Sequence, residues 1–508
     1  MITIPDSFAI SDQRVRLSAV QLREEVHSVT SAILQHGLQP GERVIVLGRK
    51  SVELAAAMLA VPRTGGVVVA PYAGLTEEQL RYIVQDASPS LAILLDSAPR
   101  EMHAAVTDVP TVVQYASLRD SAHPTREPAE AHPDAAALII YTSGSTDKPK
   151  GVVFSHQNIR LGAESVAQYY GLTPEDRVLC LLPFSFDAGF NQLTSALVAG
   201  CETYLRDFAL AQHTTALCGE QRITTLTGVP ALWRKLTAVQ WPGPARDAMR
   251  RWCNTGGHMP VDLSRRLCAL FPNADPILMY GFTEAFRATY LPPARYRARP
   301  TSVGVAIPHA AVAIVHDDGT LCAPGEVGEL VQFGPLVTLG YWNRQDETDT
   351  KFAAITSVTR RELTAPATAL YCVPVELLDR PAWSGDNVSI DSDGFIYFHS
   401  RRTELIKSQG FRVSPTEVEE ACIASGLVHD AVVLGVEHDG EEAVAVVATP
   451  VSPDVSSEDL RAKLKRALPS YQVPQVIVLT EELPATANGK YDIPAIRLQL
   501  VSAAQALT

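Results

Sequence analysis

The chain has 508 residues, too many for one hydrophobic core, so a large region plus at least one smaller unit is expected. Hydrophobic residues make up 46% and charged residues 19%, which excludes a disordered chain. A net charge of −13 excludes a general affinity for nucleic acid or an anionic membrane, but not a small anion held in one local basic cleft.

From the start, helical and strand patterns alternate. "LSAVQLREEVHSVTSAILQHG" carries apolar residues at helical spacing and stops at Gly37. "RVIVLG" reads as a buried strand, "SVELAAAMLAV" as a helix with Ser51 as its N-cap, and "GVVVAP" as the next strand. "LTEEQLRYIVQDA" and "LAILLD" repeat the pair, and "ALIIY" delivers the chain into the loop "YTSGSTDKPKGV". This alternation predicts an α/β layer fold with a largely parallel sheet. Beyond residue 300, short strands separated by Asp-Gly, Pro-Gly and Gly turns predict a small antiparallel, barrel-like part. "TSVTRRELTAPATALYCVPVELLDRP" has no clear period. From about residue 402, "AVVLGVE" and "EAVAVVATP" flank the turn "HDGE", then a helix "SSEDLRAKLKRAL", a strand "QVIVLT" and an exposed tail follow. That is a small α+β unit of ordinary domain size.

The eight cysteines are scattered, without a Cys-x-x-Cys pair, as reduced thiols would be. The start "MITIPDSFAI" has no secretory pattern, and the longest apolar stretches are far short of a membrane span. A soluble, cytoplasmic protein is expected.

The loop at 141–152 fails the Walker A pattern, because the fifth residue after Gly144 is Pro149. Its glycines, hydroxyls and two lysines suit a polyphosphate, yet taken alone the stretch fits a plain surface loop equally well. "LMYGFTEAFRATYLPP" sets Tyr280, Gly281, Thr283 and Glu284 in one turn after an apolar strand: an aromatic face for a base, a hydroxyl for phosphate and a carboxylate for Mg²⁺. "WSGDNV" offers Asp386 to ribose hydroxyls, and "PATANGK" exposes Lys490 on an Asn-Gly turn. Each block by itself is also an ordinary turn.

Nine blocks in order change that balance. "GLQPGERVIVLGRKSVELAAAMLAVPRTGGVVVAP", "YTSGSTDKPKG", "LPFSFDAG", "NTGG", "YGFTE", "GELVQFGPLVTLGYWN", "SGD", "SRRTELIKSQGFRVSPTEVE" and "NGK" together resemble the AMP-forming adenylating enzymes, over nearly the whole chain. That family includes acyl-CoA synthetases, luciferases and peptide-synthetase adenylation domains. "SFDAGFNQL", "MYGFTEAFRATYLPP" and "FRVSPTEVEE" look most like acyl-CoA ligases linked to exosortase A systems, and free-standing aminoacyl-carrier-protein ligases are similar.

The resemblance implies a large adenylate-forming domain at 1–402 and a small mobile domain at 403–508 that rotates about a hinge near Thr403. It implies that a carboxylic acid attacks the ATP α-phosphate, releasing pyrophosphate, and that a thiol then displaces AMP. Thr142, Ser143, Gly144, Ser145, Thr146, Lys148 and Lys150 would wrap phosphates, with Gly256, Gly257, Tyr280 and Gly281 near adenine. Thr283 would contact phosphate, Glu284 would orient Mg²⁺, and Asp386 and Arg401 would hold the ribose. Lys490 would serve adenylation and Lys407 the thiol step. The acyl pocket would draw on Phe186, Asp187, Asn191, Thr227, Met279 and Arg287. Asp187 matches the aspartate that pairs an amino acid's α-amine, which leaves an amino-acid substrate as the alternative. Arg287 is expected to be a structural salt-bridge partner rather than a contact to a second substrate carboxylate.

No carrier segment follows Lys490, so the thiol, CoA or the phosphopantetheine of a carrier protein, is expected in trans. Three positions depart from the family, one being Ser400, where relatives carry glycine before the arginine. Asp147 stands where relatives carry glycine, and Thr403 where they carry Asp or Lys. Both keep a non-catalytic AMP-binding relative in view.

Overall fold

The computed structural model describes residues 2–120, 131–142, 149–354, 380–402, 406–408, 411–438, 441–486 and 490–507. Ser143, Gly144, Ser145, Thr146, Asp147, Lys148, Thr403 and most of the stretch without a period lie outside them. The chain forms two compact units: Met1–Ala313 with Val331–Trp383, and Ile314–Leu330 with Ser384–Thr508.

The first unit holds two large sheets. One has seven strands, in the order Gly340–Tyr341, Lys150–Ser155, Ala136–Thr142, Val67–Val69, Arg43–Leu47, Leu91–Leu94, Thr111–Gln114. The last five pair in parallel, and Ala136–Thr142 turns back antiparallel onto Lys150–Ser155. The other sheet has nine strands, with Arg177–Cys180, Thr225–Gly228, Arg251–Asn254 and Asp275–Tyr280 parallel side by side.

The strand period of two is visible in the packing. Along Arg43–Leu47, Val44 and Val46 enter one core, while Ile45 and Leu47 enter another with Leu80 and Ile83 of the Glu77–Ala87 helix. The first of these cores takes in the helices Ala19–Gln35, Val52–Ala60, His156–Tyr170 and Asp187–Ala199. Fully burying each such aliphatic side chain contributes about 1.5–3 kcal/mol relative to leaving it exposed. The helix starts follow local chemistry. Ser51 Oγ accepts from Leu54 N at 3.2 Å as expected, and Ser18 and Thr76 close capping boxes with Gln21 and Gln79.

The strands after residue 300 form an open sheet, not a barrel: Ala311–Val315, Val327–Phe333, Pro381–Ile390, Ile396–Arg401 in that order. Four strands are too few to close around a filled interior. In the second unit, the hairpin Val428–His438/Glu441–Pro450 pairs with Val476–Leu479. One face packs on the helices Pro415–Ala424 and Ser457–Ala467 through Val418, Cys422, Leu460 and Leu464. The expected exposed tail is instead a helix, Ile493–Leu507, which buries Ile496, Leu500 and Ala504 against the other face. Their i, i+4, i+8 spacing is an apolar stripe.

Candidate active site

In the first unit, the strand Asp275–Tyr280 delivers the chain into the turn expected to carry chemistry. Tyr280 is half-buried and pairs with Thr289 of the next strand. Gly281 is required by crowding, since a Cβ there would stand 2.8 Å from Arg287 Cα. Thr283 and Glu284 then open a short 3₁₀ turn.

Phe286 follows with φ +64° and ψ −65°, and Arg287 N donates to Ala285 O at 2.7 Å. This is a γ-turn in the strained, positive-φ form, which costs a phenylalanine about 1–3 kcal/mol. Packing enforces it. The Phe286 ring lies against Gly162, where any Cβ would overlap it, and stands edge-on to Phe154 at 6.3 Å. Gln332, fully buried, donates its amide to Ala285 O at 3.0 Å and Arg287 O at 2.9 Å, bracketing the turn.

The result is two charged groups held on either side of Phe286. The Glu284 carboxylate accepts from Tyr341 Oη and lies 3.8 Å from Lys351 Nζ. Burial and the neighbouring Glu284 push the Tyr341 phenol well above its usual range, so it stays a neutral donor. Arg287 points inward and donates from Nη1 to Asp187 Oδ2 at 3.0 Å and to Phe286 O at 2.9 Å. Asp187 opens the helix Asp187–Ala199, where an anion suits the positive end of the helix dipole. The expected structural role of Arg287 matches this pair. The same ion pair engages the carboxylate that was a candidate for binding an amine.

Arg287, Asn191 and Thr227 line one small cavity of about 10 Å³, with Tyr170 Oη 3.1 Å from Thr227 Oγ1. Met279 is beside them, its Sδ accepting from Tyr169 Oη at 3.0 Å. Phe186 sits half-buried at the N-cap of the Asp187–Ala199 helix. Gly256 takes φ +71°, and Asn254 Nδ2 closes the same turn on Gly257 O at 3.1 Å. Thr142 and Lys150 face each other across the antiparallel pair that flanks the undescribed loop. Lys150 Nζ pairs with the Glu347 carboxylate and lies over the Tyr341 ring at 5.6 Å to its centroid.

In the second unit, Asp386 and Arg401 occupy opposite positions of two paired strands, with Asp386 Oδ1 3.6 Å from Arg401 Nε. Asp386 is buried, and Gly385 before it takes φ +82°. Lys407 lies in the Ile406–Ser408 strand, its backbone opposite Arg412. Lys490 is exposed in a turn that Thr486 N closes by donating to Lys490 O at 2.7 Å.

The partners that sequence reasoning missed are Tyr341, Lys351 and Gln332. Tyr341 lies in the block "GYWN", yet 57 residues separate it from Glu284, and no local pattern announces such a pair. A single carboxylate with adjoining phosphate oxygens is a usual way to hold Mg²⁺, and Glu284 is the carboxylate this turn offers.

The family model for AMP-binding enzymes matches residues 3–342, and that for their C-terminal domain matches residues 417–490. Indoleacetate–CoA ligase of Aromatoleum aromaticum is 29% identical over 98% of this chain and 96% of its own length. Tyrocidine synthase 1 of Brevibacillus parabrevis is 28% identical over 97% of this chain. The chain spans only 43% of that synthetase and 7% of tyrocidine synthase 3. ATP-bound MatB from Rhodopseudomonas palustris shares the fold, with a TM-score of 0.86 at 24% identity over 98% of this chain and 97% of that one. With a family match across well over half its residues, the chain belongs to the AMP-binding enzyme family.

Proposed function

We propose that this protein activates a carboxylic acid with ATP and passes it to a thiol. The observation that carries this reading is the Glu284 turn, a carboxylate fixed by Tyr341 and Lys351 at the exit of a parallel strand, in a chain of this family. An acid oxygen attacks the α-phosphorus of ATP and pyrophosphate leaves. The thiol sulfur then attacks the acyl carbon of the adenylate and AMP leaves.

The protein's part is to position groups and stabilise charge. Thr142, Lys150 and the loop from Ser143 to Lys148 hold phosphates, Thr283 contacts them, and Glu284 orients Mg²⁺. Bound there, Mg²⁺ neutralises phosphate charge. Tyr280, Gly281, Gly256 and Gly257 border the base, and Asp386 with Arg401 holds the ribose. Lys490 supplies positive charge for adenylation and Lys407 serves the thiol step, with the chain turning at a hinge near Thr403 that separates 1–402 from 403–508. The acceptor is CoA or a carrier-protein phosphopantetheine, and the reaction is placed in the cytoplasm. Among the described residues, no helix is long and apolar enough to cross a membrane.

The buried Asp187–Arg287 pair favours an acid without an α-ammonium group, because the carboxylate already has a cationic partner. Amino-acid adenylation is the second reading, supported by the likeness to tyrocidine synthase 1. ATP–pyrophosphate exchange across fatty, aryl and amino acids tests both. Exchange with plain acids is expected, and no exchange with any acid would sink the catalytic reading.

A further inference from the structure

The first unit has a second polar cavity that the adenylation chemistry does not use. It is an open cleft of about 690 Å³, where the first residues of the chain meet the start of the His156–Tyr170 helix. Its lining carries three guanidinium groups, Arg23, Arg63 and Arg160, together with His132, His156 and Gln157, and among the described residues no carboxylate. That is unusual in a chain of net charge −13.

Two of its groups lack the partners that burial calls for. His156 is 6% exposed, and its Nε2 is buried with no hydrogen-bond partner. His156 is one of the residues that line the cleft, and its backbone N–H is satisfied by Ala135 O at 3.1 Å. Arg63 is half-buried and makes only a long 3.5 Å contact to Ile2 O, with no carboxylate partner among the described residues. A desolvated guanidinium without a counter-charge is costly, and an anion relieves that cost. The other two arginines pair with side chains outside the lining: Arg23 with Asp6, whose side chain is 89% exposed, and Arg160 with Glu164 at 36%. His132 and Asp134, both exposed, are 3.9 Å apart. Exposed pairs of this kind are weak and give way readily to a better acceptor.

We propose that this cleft binds a small organic phosphate, with the phosphate held by Arg63, Arg160 and the His156 ring. Several guanidinium donors and a neutral ring N–H suit the three oxygens of a phosphomonoester. The cleft is much larger than a bare ion, and Ile2, Ile4 and Pro133 offer an apolar wall to the organic part. The site is separate from the phosphate-binding loop. His156 follows the far end of the Lys150–Ser155 strand, and at about 3.3 Å per residue the two ends are roughly 17 Å apart.

Titration of the full chain with phenyl phosphate, followed by calorimetry and by ³¹P line broadening, tests the proposal. Wild type and Lys150→Ala are expected to bind it alike. Arg63→Met and Arg160→Met should each weaken binding by about tenfold or more, with cooperative thermal unfolding at a temperature no lower than that of wild type as the folding control. His156→Gln, which keeps a donor, should lose less. Inorganic phosphate should compete, and benzoate should not. Equal affinity in wild type and both arginine variants would overturn the proposal, as would benzoate binding as tightly as phenyl phosphate. Loss of binding in Lys150→Ala alone would assign the ligand to the phosphate-binding loop and equally overturn it.

Discussion

The two ends of the Lys150–Ser155 strand treat charge in opposite ways. At its start Lys150 is paired with Glu347, Glu284 is held between Tyr341 and Lys351, and Arg287 with Asp187 forms a buried pair nearby. Past its end, Arg63 and His156 line a cleft with no carboxylate among the described lining residues. Charges that are matched within the chain are fixed in place, which suits groups that must meet reacting atoms without reorganising. Charges left unmatched are a standing cost that only an outside ligand removes.

The contrast is broken most severely at the ordered end. Glu284→Ala removes the carboxylate that Tyr341 and Lys351 hold, and acid-dependent ATP–pyrophosphate exchange is expected to fall by about 10²–10³-fold. The affinity for phenyl phosphate should not change.

Arg287→Met strands Asp187 as a lone, largely buried carboxylate, and chemical denaturation should show a loss of about 3–5 kcal/mol. Adding Asp187→Leu should return most of it. If the double variant is no more stable than the single one, the buried-pair account fails.

At the unmatched end, pH is the sharper tool. Burial holds the His156 pKa down to about 4, below the ordinary value of 6.5. The folded state therefore binds fewer protons than the unfolded one. Stability from this group is complete above about pH 6.5 and declines as pH falls towards 4. His156→Gln should lose that part of the slope in denaturation curves taken across the window. Phenyl phosphate should flatten it in wild type, since a bound anion favours the imidazolium.

The smallest effect is expected at Asp147. An aspartate tolerates left-handed backbone angles better than most residues, while its charge opposes a polyphosphate. Asp147→Gly should keep or lower the KM for ATP, and a large loss of activity would show a positive role for the carboxylate.

What the sequence revealed tracks the range of the interaction. Ser18, Ser51 and Thr76 cap helices with donors three residues on, and the alternation of Val44, Ile45, Val46 and Leu47 sorts them between two cores. Both signals are local, so both were legible. The stripe of Ile496, Leu500 and Ala504 was legible too, but short and near the end of the chain it was read as a tail. Short strands between glycine turns look alike in an open sheet and in a barrel, because closure depends on which edges meet. The site was legible as a set of blocks but not as an arrangement. Asp187 and Arg287 are 100 residues apart, and Glu284 and Tyr341 are 57. The positive φ of Phe286 had no signal at all, since a bulky residue avoids that region unless packing enforces it.

The central claim, two half-reactions served by two different lysines, is tested most directly by measuring both steps in two variants. Acid-dependent ATP–pyrophosphate exchange reports adenylation, and thioester formation from CoA or a loaded carrier protein reports transfer. Lys490→Ala should abolish exchange, whereas Lys407→Ala should keep exchange and lose thioester formation. Equal loss of both steps in both variants would contradict the account.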